Sequence, residues 1–143
     1  MMNNALFTSK TGLWETPQEF FDKLNREFDF TLDACATPEN AKCINFYSPE
    51  QDGLSMPWNG RVWCNPPYGR QVGQWVKKAY MSAQTGALVV MLLPARTDTA
   101  WFHDYIYRRA EIRFVRGRLK FGGSRNSAPF PSMVCVFRGE KDD

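Results

Sequence analysis

Residues 61–68 read Arg-Val-Trp-Cys-Asn-Pro-Pro-Tyr, and here a short apolar segment passes directly into a rigid polar loop. The composition of 61–64 predicts a short strand. After the loop, apolar residues at helical spacing predict a helix over residues 70–83, and Gly86 is expected to end it. Residues 87–93 are continuously apolar, which is typical of a parallel strand that is buried on both faces.

On the N-terminal side, Thr16-Pro17-Gln18-Glu19 has the pattern of a capping box, with Thr16 as the N-cap of a helix. Apolar and polar residues then alternate and predict a strand that ends near Asp33. Residues 34–60 are rich in Pro, Asn and Gly, so we expect loops with short elements there.

On the C-terminal side, Thr97 or Asp98 is expected to cap a further helix, and strands are expected near 111–115 and 132–137. No helix is expected between these two strands, so they should pair as an antiparallel edge. The prediction is therefore a compact α/β domain over residues 1–143, with a mostly parallel sheet and an antiparallel C-terminal edge.

Composition and cysteine usage exclude several classes of protein. The chain has 143 residues, of which 43% are hydrophobic and 23% charged, as in a globular protein. Its longest strongly apolar run, 87–94, is too short to span a bilayer, so no membrane partner is expected. The N-terminus has no secretory pattern, which predicts an intracellular chain with reduced thiols. The four cysteines form no C-x-x-C pair and there is one histidine, so no metal site is expected.

Positive charge is concentrated near the C-terminus. The formal net charge is +3, and between Tyr107 and Gly139 eight Arg and Lys residues face a single acidic one, Glu111. Such an excess attracts phosphate backbones, although a solvated basic surface would have the same composition.

In parallel sheets, ligands bind beyond the carboxyl ends of the strands. Asp33, Asn65 and residues 94–96 all stand at predicted strand ends, so we expect their three loops to converge on one crevice.

The loop Asn65-Pro66-Pro67-Tyr68 has a specific chemical capacity. Two consecutive prolines fix φ and remove two N–H donors, which leaves a stiff loop that presents acceptors. The Asn65 side-chain oxygen and the Pro66 carbonyl can accept both hydrogens of a planar amino group and so make its nitrogen nucleophilic. Tyr68 offers an aromatic face to a flat base. A Pro-Pro turn with a core tyrosine is the structural alternative.

These residues resemble the motifs of the amino-methyltransferases that use S-adenosyl-L-methionine. Asn65-Pro66-Pro67-Tyr68 resembles their catalytic motif IV and residues 15–19 resemble motif X. Asp52-Gly53-Leu54 is similar to the acidic motif III, and residues 32–36 to a motif I that here lacks glycine. Over about residues 13–138 the order of motifs resembles the phage-type DNA N6-adenine methyltransferases, or Dam family.

The resemblance implies a Rossmann-like fold, S-adenosyl-L-methionine as methyl donor and the N6 amino group of adenine in double-stranded DNA as acceptor. Base flipping and direct displacement at the sulfonium methyl are implied as well. The implied catalytic residues are Asn65, Pro66, Pro67 and Tyr68. The implied cofactor-binding residues are Trp14, Thr16, Pro17, Asp33, Cys35, Asp52 and Asn65.

On the substrate side, Tyr68 is the first candidate to stack on the flipped base, with Phe130 or Phe121 as the second. The candidates for DNA contact are Arg96, Arg116, Arg118, Lys120, Arg125 and Phe130. A chain of this length has no room for a separate target-recognition domain, so loops 69–74 and 122–131 are expected to read DNA. A monomer or a homodimer is expected, in the bacterial host cytoplasm if a phage or prophage encodes it.

Two other functions fit the same residues. The loop could serve the same chemistry on an RNA amino group or on a protein amide. Alternatively, the glycine-free motif I fits a degenerate methyltransferase fold that binds nucleic acid without transferring methyl groups.

Overall fold

The computed structural model describes residues 14–122 and 127–139, and every structural statement below refers to these residues. They form helices α1 (Gln18–Phe28), α2 (Val72–Gln84) and α3 (Ala100–Tyr105). One sheet contains the strands β1 (Leu32–Asp33), β2 (Arg61–Cys64), β3 (Leu88–Pro94), β4 (Glu111–Phe114) and β5 (Ser132–Arg138).

The sheet has the strand order β1-β2-β3-β5-β4. β1, β2 and β3 pair in parallel, and β5 pairs antiparallel with both β3 and β4. The antiparallel pairing predicted for the last two strands is confirmed, but the reversed strand β5 lies inside the sheet rather than at its edge. β4 therefore runs in the same direction as β1 to β3, and the carboxyl ends of these four strands lie at one edge of the sheet.

Two predicted helix caps differ from the structure. Pro17 occupies the N-cap of α1 and no side chain caps this helix, so the prediction that Thr16 caps it is wrong. The Thr16 hydroxyl instead accepts a hydrogen bond from a side chain in the loop after β2. α3 begins after Thr99, whose Oγ1 accepts a hydrogen bond from the Phe102 N–H, rather than after Thr97 or Asp98.

Apolar side chains cover both faces of the sheet. Val76 of α2 packs in the core on one face, and Phe21 of α1 packs on the other face with Trp63. The β3 residues from Val89 to Leu93 are fully buried, which confirms the prediction of a strand covered on both sides. None of the described helices is long and apolar enough to cross a membrane.

A long loop between β1 and β2 folds back over the carboxyl end of β1. Its Phe46 pairs with Asp33 in a parallel bridge, and its Asp52 side chain accepts a hydrogen bond from the Leu54 N–H. The Trp58 Nε1–H donates to the Gly53 carbonyl at 2.8 Å. A Cβ at Gly53 would lie 2.2 Å from the Ala34 carbonyl oxygen, so only glycine lets the loop approach the strand end this closely.

We expect Gly53→Ala to lower the free energy of unfolding by about 1–3 kcal/mol, because the new methyl group must displace the backbone at Ala34. The measurement is urea denaturation followed by circular dichroism. Gly73→Ala in α2 is the matched control, since its Cβ would meet Trp101 at an ordinary 3.4 Å. That control should be neutral or stabilising by up to about 1 kcal/mol. Equal stability of Gly53→Ala and wild type would contradict the close approach.

Candidate active site

The loop 65–68 follows β2 directly and places Asn65 at the carboxyl edge of the sheet. The Asn65 Nδ2 group donates one hydrogen bond to the Thr16 Oγ1 at 2.9 Å and another to the Trp14 carbonyl. Both partners belong to the segment that leads into α1. This use of its hydroxyl gives Thr16 a role other than the predicted helix cap.

These two bonds determine the orientation of the Asn65 amide. The Trp14 carbonyl can only accept, so the nitrogen side of the amide must face it. The Asn65 Oδ1 is buried and has no hydrogen-bond partner among the described residues. No backbone N–H in these ranges donates to the carbonyl of Pro66, the next residue. A buried acceptor without a donor costs free energy, so a ligand that donated a hydrogen bond to the Asn65 Oδ1 would recover this cost.

A cavity of about 250 Å³ lies at this edge of the sheet, against Asn65 and Pro67. Its wall combines residues from the segment before α1, the end of β1 and the long loop. The resemblance named seven cofactor-binding residues, and six of them line this cavity: Trp14, Thr16, Asp33, Cys35, Asp52 and Asn65. The seventh, Pro17, is not part of the wall, because it occupies the N-cap of α1.

Asp33 closes the start of the long loop with its side chain. Only 2% of it is exposed, and its two carboxylate oxygens accept hydrogen bonds from the Cys35 N–H at 3.2 Å and the Lys42 N–H at 3.0 Å. These bonds hold the glycine-free turn after β1. Burial raises the pKa of Asp33 to about 6, although the two backbone hydrogen bonds oppose this shift.

The half-buried Cys35 stands beside Asp33 in the cavity wall. Burial, and to a smaller extent the charge of Asp33, raise the pKa of its thiol to about 12. Cys35 is therefore a neutral wall residue and a poor nucleophile. Within residues 14–122 and 127–139, no three His, Cys, Asp or Glu side chains are grouped so that they could hold a metal ion.

Sequence reasoning assigned no cofactor-binding role to several residues of the cavity wall, among them Lys42 and Trp75. Lys42 lies in the wall, and its Nζ donates to the Gln18 Oε1 at 2.9 Å. No motif marks Lys42, because the fold of the long loop brings it there. Trp75 of α2 is 5% exposed and also lines the cavity. Its place in the first turn after the loop 65–68 was the available signal.

Tyr68 turns away from the first cavity. Its Oη donates to the Leu92 carbonyl at 3.1 Å, and its ring meets the edges of Phe130 at 5.5 Å and Phe121 at 6.4 Å between centroids. Burial raises the pKa of the phenol well above its usual value, so the hydroxyl stays protonated. Phe130 and Phe121 are buried and present no free face. The expectation that either stacks on a base as a second face is therefore not met, and both instead support Tyr68.

A second depression lies on the other side of the loop 65–68. Tyr68 lines it together with Arg70, Pro94, Arg96 and the half-buried Trp101. The three strand ends were expected to share one crevice, and this is wrong for residues 94–96. Asp33 and Asn65 do share the first cavity, whereas the end of β3 borders the second depression, where Trp101 supplies an aromatic ring.

Four of the predicted DNA-contact residues are exposed, namely Arg96, Arg116, Arg118 and Lys120. The last three follow β4 at the carboxyl edge of the sheet. Beyond them the Gly122 N–H donates to the Glu15 carbonyl at 2.8 Å, so this basic segment (116–120) runs toward the wall of the first cavity. The fifth basic candidate, Arg125, lies outside the described residues.

Part of the basic excess is neutralised within the fold. Arg113 forms a two-pronged ion pair with Glu27 of α1, at 2.7 and 2.8 Å, and also pairs with Glu111. Arg138 pairs with Glu111 as well. These two arginines therefore hold α1, β4 and β5 together, and the basic segment retains its charge for a partner.

Comparison with known proteins places the chain in a family. The family described as DNA N-6-adenine-methyltransferase (Dam) matches residues 4–141. A protein named DNA N-6-adenine-methyltransferase from Escherichia phage T1 is 40% identical over 110 residues, which are 75% of this chain. A protein of the same name from Haemophilus phage HP1 (strain HP1c1) is 36% identical over 138 residues, which are 90% of this chain.

The chain spans about half of the phage T1 protein, 46%, and 80% of the phage HP1 protein. The family match covers nearly the whole chain and confirms the resemblance seen in its motifs. The chain therefore belongs to the DNA N-6-adenine-methyltransferase (Dam) family.

Proposed function

We propose that this chain transfers a methyl group from S-adenosyl-L-methionine to the N6 amino group of adenine in double-stranded DNA. The observation that supports this best is the Asn65 amide, whose hydrogens are bound by Thr16 and Trp14 and whose buried Oδ1 has no partner among the described residues. The names of the two phage relatives, DNA N-6-adenine-methyltransferase, agree with it. We assign the activity to one domain with a Rossmann-like sheet.

The reacting amine is activated by two acceptors. Asn65 Oδ1 and the Pro66 carbonyl accept the two hydrogens of the adenine amino group. These bonds draw the nitrogen lone pair out of conjugation with the ring and make it available as a nucleophile. S-adenosyl-L-methionine would supply the methyl group, with S-adenosylhomocysteine as the leaving group. The methylated nitrogen would then release a proton to water, so no strong base is required. Positioning of this kind supplies about 7–11 kcal/mol in well-oriented reactions.

The first cavity fits the methyl donor. When bound, S-adenosyl-L-methionine supplies an electrophilic methyl group and has a positively charged amino group and a negatively charged carboxylate. The cavity wall offers both complements, since Asp33 and Asp52 can accept hydrogen bonds from amino groups and Lys42 can pair with a carboxylate. Asn65, whose buried Oδ1 has no partner among the described residues, is part of the same cavity wall.

The second depression fits the target base. Adenine must leave the duplex to reach a pocket, at a cost of a few kcal/mol that stacking and edge contacts offset. Tyr68 and Trp101 provide aromatic surface there, and Arg70 and Arg96 provide exposed charge at its rim. The loop 65–68 borders both spaces, since Asn65 and Pro67 line the first cavity and Tyr68 lines the second depression. We therefore place the base on one side of this loop and the methyl donor on the other, with the reacting amine at Asn65.

The basic segment 116–120 and Arg96 are assigned to DNA phosphates, because exposed cations near the site hold the duplex without reading its sequence. Arg125 is assigned to the same role from its sequence position alone. Loops 69–74 and 122–131 are left to read the target, and the second of these lies partly outside the described residues.

Transfer of label tests the proposal directly. The protein is incubated with S-adenosyl-L-methionine labelled in its methyl group and with unmethylated plasmid DNA, total RNA or a protein extract. We expect label in DNA, recovered as N6-methyladenine after digestion to nucleosides. Label found only in RNA or only in protein would show that DNA is not the acceptor and would contradict the proposal. Cofactor binding without transfer to any of the three would support the degenerate binding fold.

Asn65→Ala should lower the rate constant of the methyl-transfer step by about 10²–10³-fold, the usual effect of removing one preorganised partner of the reacting group. Single-turnover methyl transfer on plasmid DNA measures it. Asn59→Ala, which changes an exposed asparagine near β2, is the matched control and should keep the wild-type rate. A rate within twofold of wild type for Asn65→Ala would remove this side chain from the mechanism.

Thr16 is expected to act by positioning Asn65. Thr16→Val keeps the shape of the side chain and removes the acceptor of one amide hydrogen. Loss of one hydrogen bond of about 1 kcal/mol predicts a kcat roughly fivefold lower. Thr16→Ser restores an oxygen and should recover most of kcat. Equal rates for the Val and Ser variants would mean that the hydroxyl has no part in catalysis.

Binding of the donor should depend on the ionisation of Asp33. The pKa of about 6 means that this carboxyl is protonated below pH 6 and charged above it. The donor's amino group keeps its positive charge between pH 5 and 7. Affinity measured by calorimetry should therefore rise about fivefold from pH 5 to pH 6 and about tenfold from pH 5 to pH 7, and level off above pH 7. Asp33→Asn should bind weakly with a flat profile. A flat wild-type profile would exclude this contact.

A further inference from the structure

Trp75 has a buried donor that the fold does not use. The residue is 5% exposed, and its indole Nε1–H has no acceptor among the described residues. An indole N–H can only donate, and a buried tryptophan normally places it on an acceptor. The neighbouring Trp58 does so, since its Nε1–H donates to the Gly53 carbonyl at 2.8 Å.

Trp75 stands at a defined end of the first cavity. It lines the cavity together with Asp52 and Gly53. A Cβ on Gly53 would lie 3.1 Å from the outer edge of the Trp75 ring, so the glycine is in close contact with the indole. The Trp58 ring is 5.9 Å away between centroids. Trp58 is not part of the cavity wall, so the Trp75 indole and the loop backbone at Gly53 form this part of it, with Trp58 packed behind the indole.

We propose that the Trp75 indole N–H donates a hydrogen bond to the adenosine half of S-adenosyl-L-methionine. The inference rests on the proposed function, because it takes the methyl donor as the occupant of the first cavity. It adds a contact from α2, an element in which none of the family motifs lies.

The chemistry of the donor molecule selects its adenosine half. The ammonium group has no lone pair to offer an N–H, and the sulfonium sulfur is a cation. The carboxylate could accept, but the Asp52 side chain borders the same end of the cavity and would repel it. The heterocycle nitrogens and the ribose oxygens are neutral acceptors, and they suit a neutral donor between aromatic rings.

The test removes the N–H and keeps the shape of the side chain. Position 75 is replaced by 3-benzothienylalanine, in which sulfur stands in place of the indole N–H, and calorimetry measures binding of S-adenosylhomocysteine. We expect wild type to bind and the analogue to bind about 5- to 30-fold more weakly. Thermal unfolding of the free protein should be unchanged or slightly higher, because the free protein loses only an unused donor.

A second ligand locates the contact. 5′-Methylthioadenosine keeps the adenosine half and lacks the amino acid, so its affinity should fall by the same factor. A loss for S-adenosylhomocysteine alone would overturn the assignment to adenosine. Equal binding of S-adenosylhomocysteine by wild type and analogue would overturn the inference and leave the proposed function intact. If wild type itself bound neither ligand, the donor site proposed for the first cavity would fall too.

Two natural substitutions give independent support. Trp75→Phe should weaken binding of both ligands at least as much as the analogue does. Lys77→Gln, on an exposed position of the same helix, should leave both affinities within twofold of wild type. Wild-type affinity for Trp75→Phe would overturn the inference even if the analogue could not be produced.

Discussion

The Asn65 amide is the constraint on which the account of this chain depends. An amide has two hydrogens and one oxygen, and here the Trp14 carbonyl and the Thr16 hydroxyl receive the hydrogens. The oxygen is buried and has no donor within the part of the chain that the structure describes. These two hydrogen bonds hold the side chain, and the Pro-Pro step that follows restricts the backbone on both sides of the Pro66 carbonyl. A destabilising feature of the free protein is thereby retained for a ligand.

The rest of the fold supports this arrangement. The parallel strands bring Asp33 and Asn65 to one edge of the sheet, and β4 brings the basic segment 116–120 to the same edge. The Asp33 side chain stabilises the turn after β1, because its carboxylate accepts two backbone hydrogen bonds from the start of the loop. In a glycine-rich turn the backbone alone would adopt the required conformation. The absence of glycine after Asp33 therefore does not remove the turn. It makes the turn dependent on one buried carboxylate.

Strand and site residues were predictable where the sequence signal was local. The bounds of β2 were predictable because a short segment of strand-forming residues, 61–64, lies between two loops. Six of the seven proposed cofactor-binding positions line one cavity. Prediction failed where a tertiary contact competed with a local one. Thr16 matched a helix cap but bonds to a residue 49 positions away, and Phe130 matched a stacking ring but packs against Trp14 and Tyr68. Trp75 matches no motif, and its place in the first turn of α2, soon after the loop 65–68, is the only local sign of a function.

Hydrogen exchange of the Asn65 side-chain amide tests the central claim most directly. Two-dimensional NMR on nitrogen-15-labelled free protein resolves the two Nδ2 hydrogens, and the exposed Asn59 provides an internal reference. If Trp14 and Thr16 bind both hydrogens, both Asn65 signals will exchange with water much more slowly than those of Asn59, before any ligand is added. Exchange as fast as at Asn59 would show a freely turning amide and contradict the account.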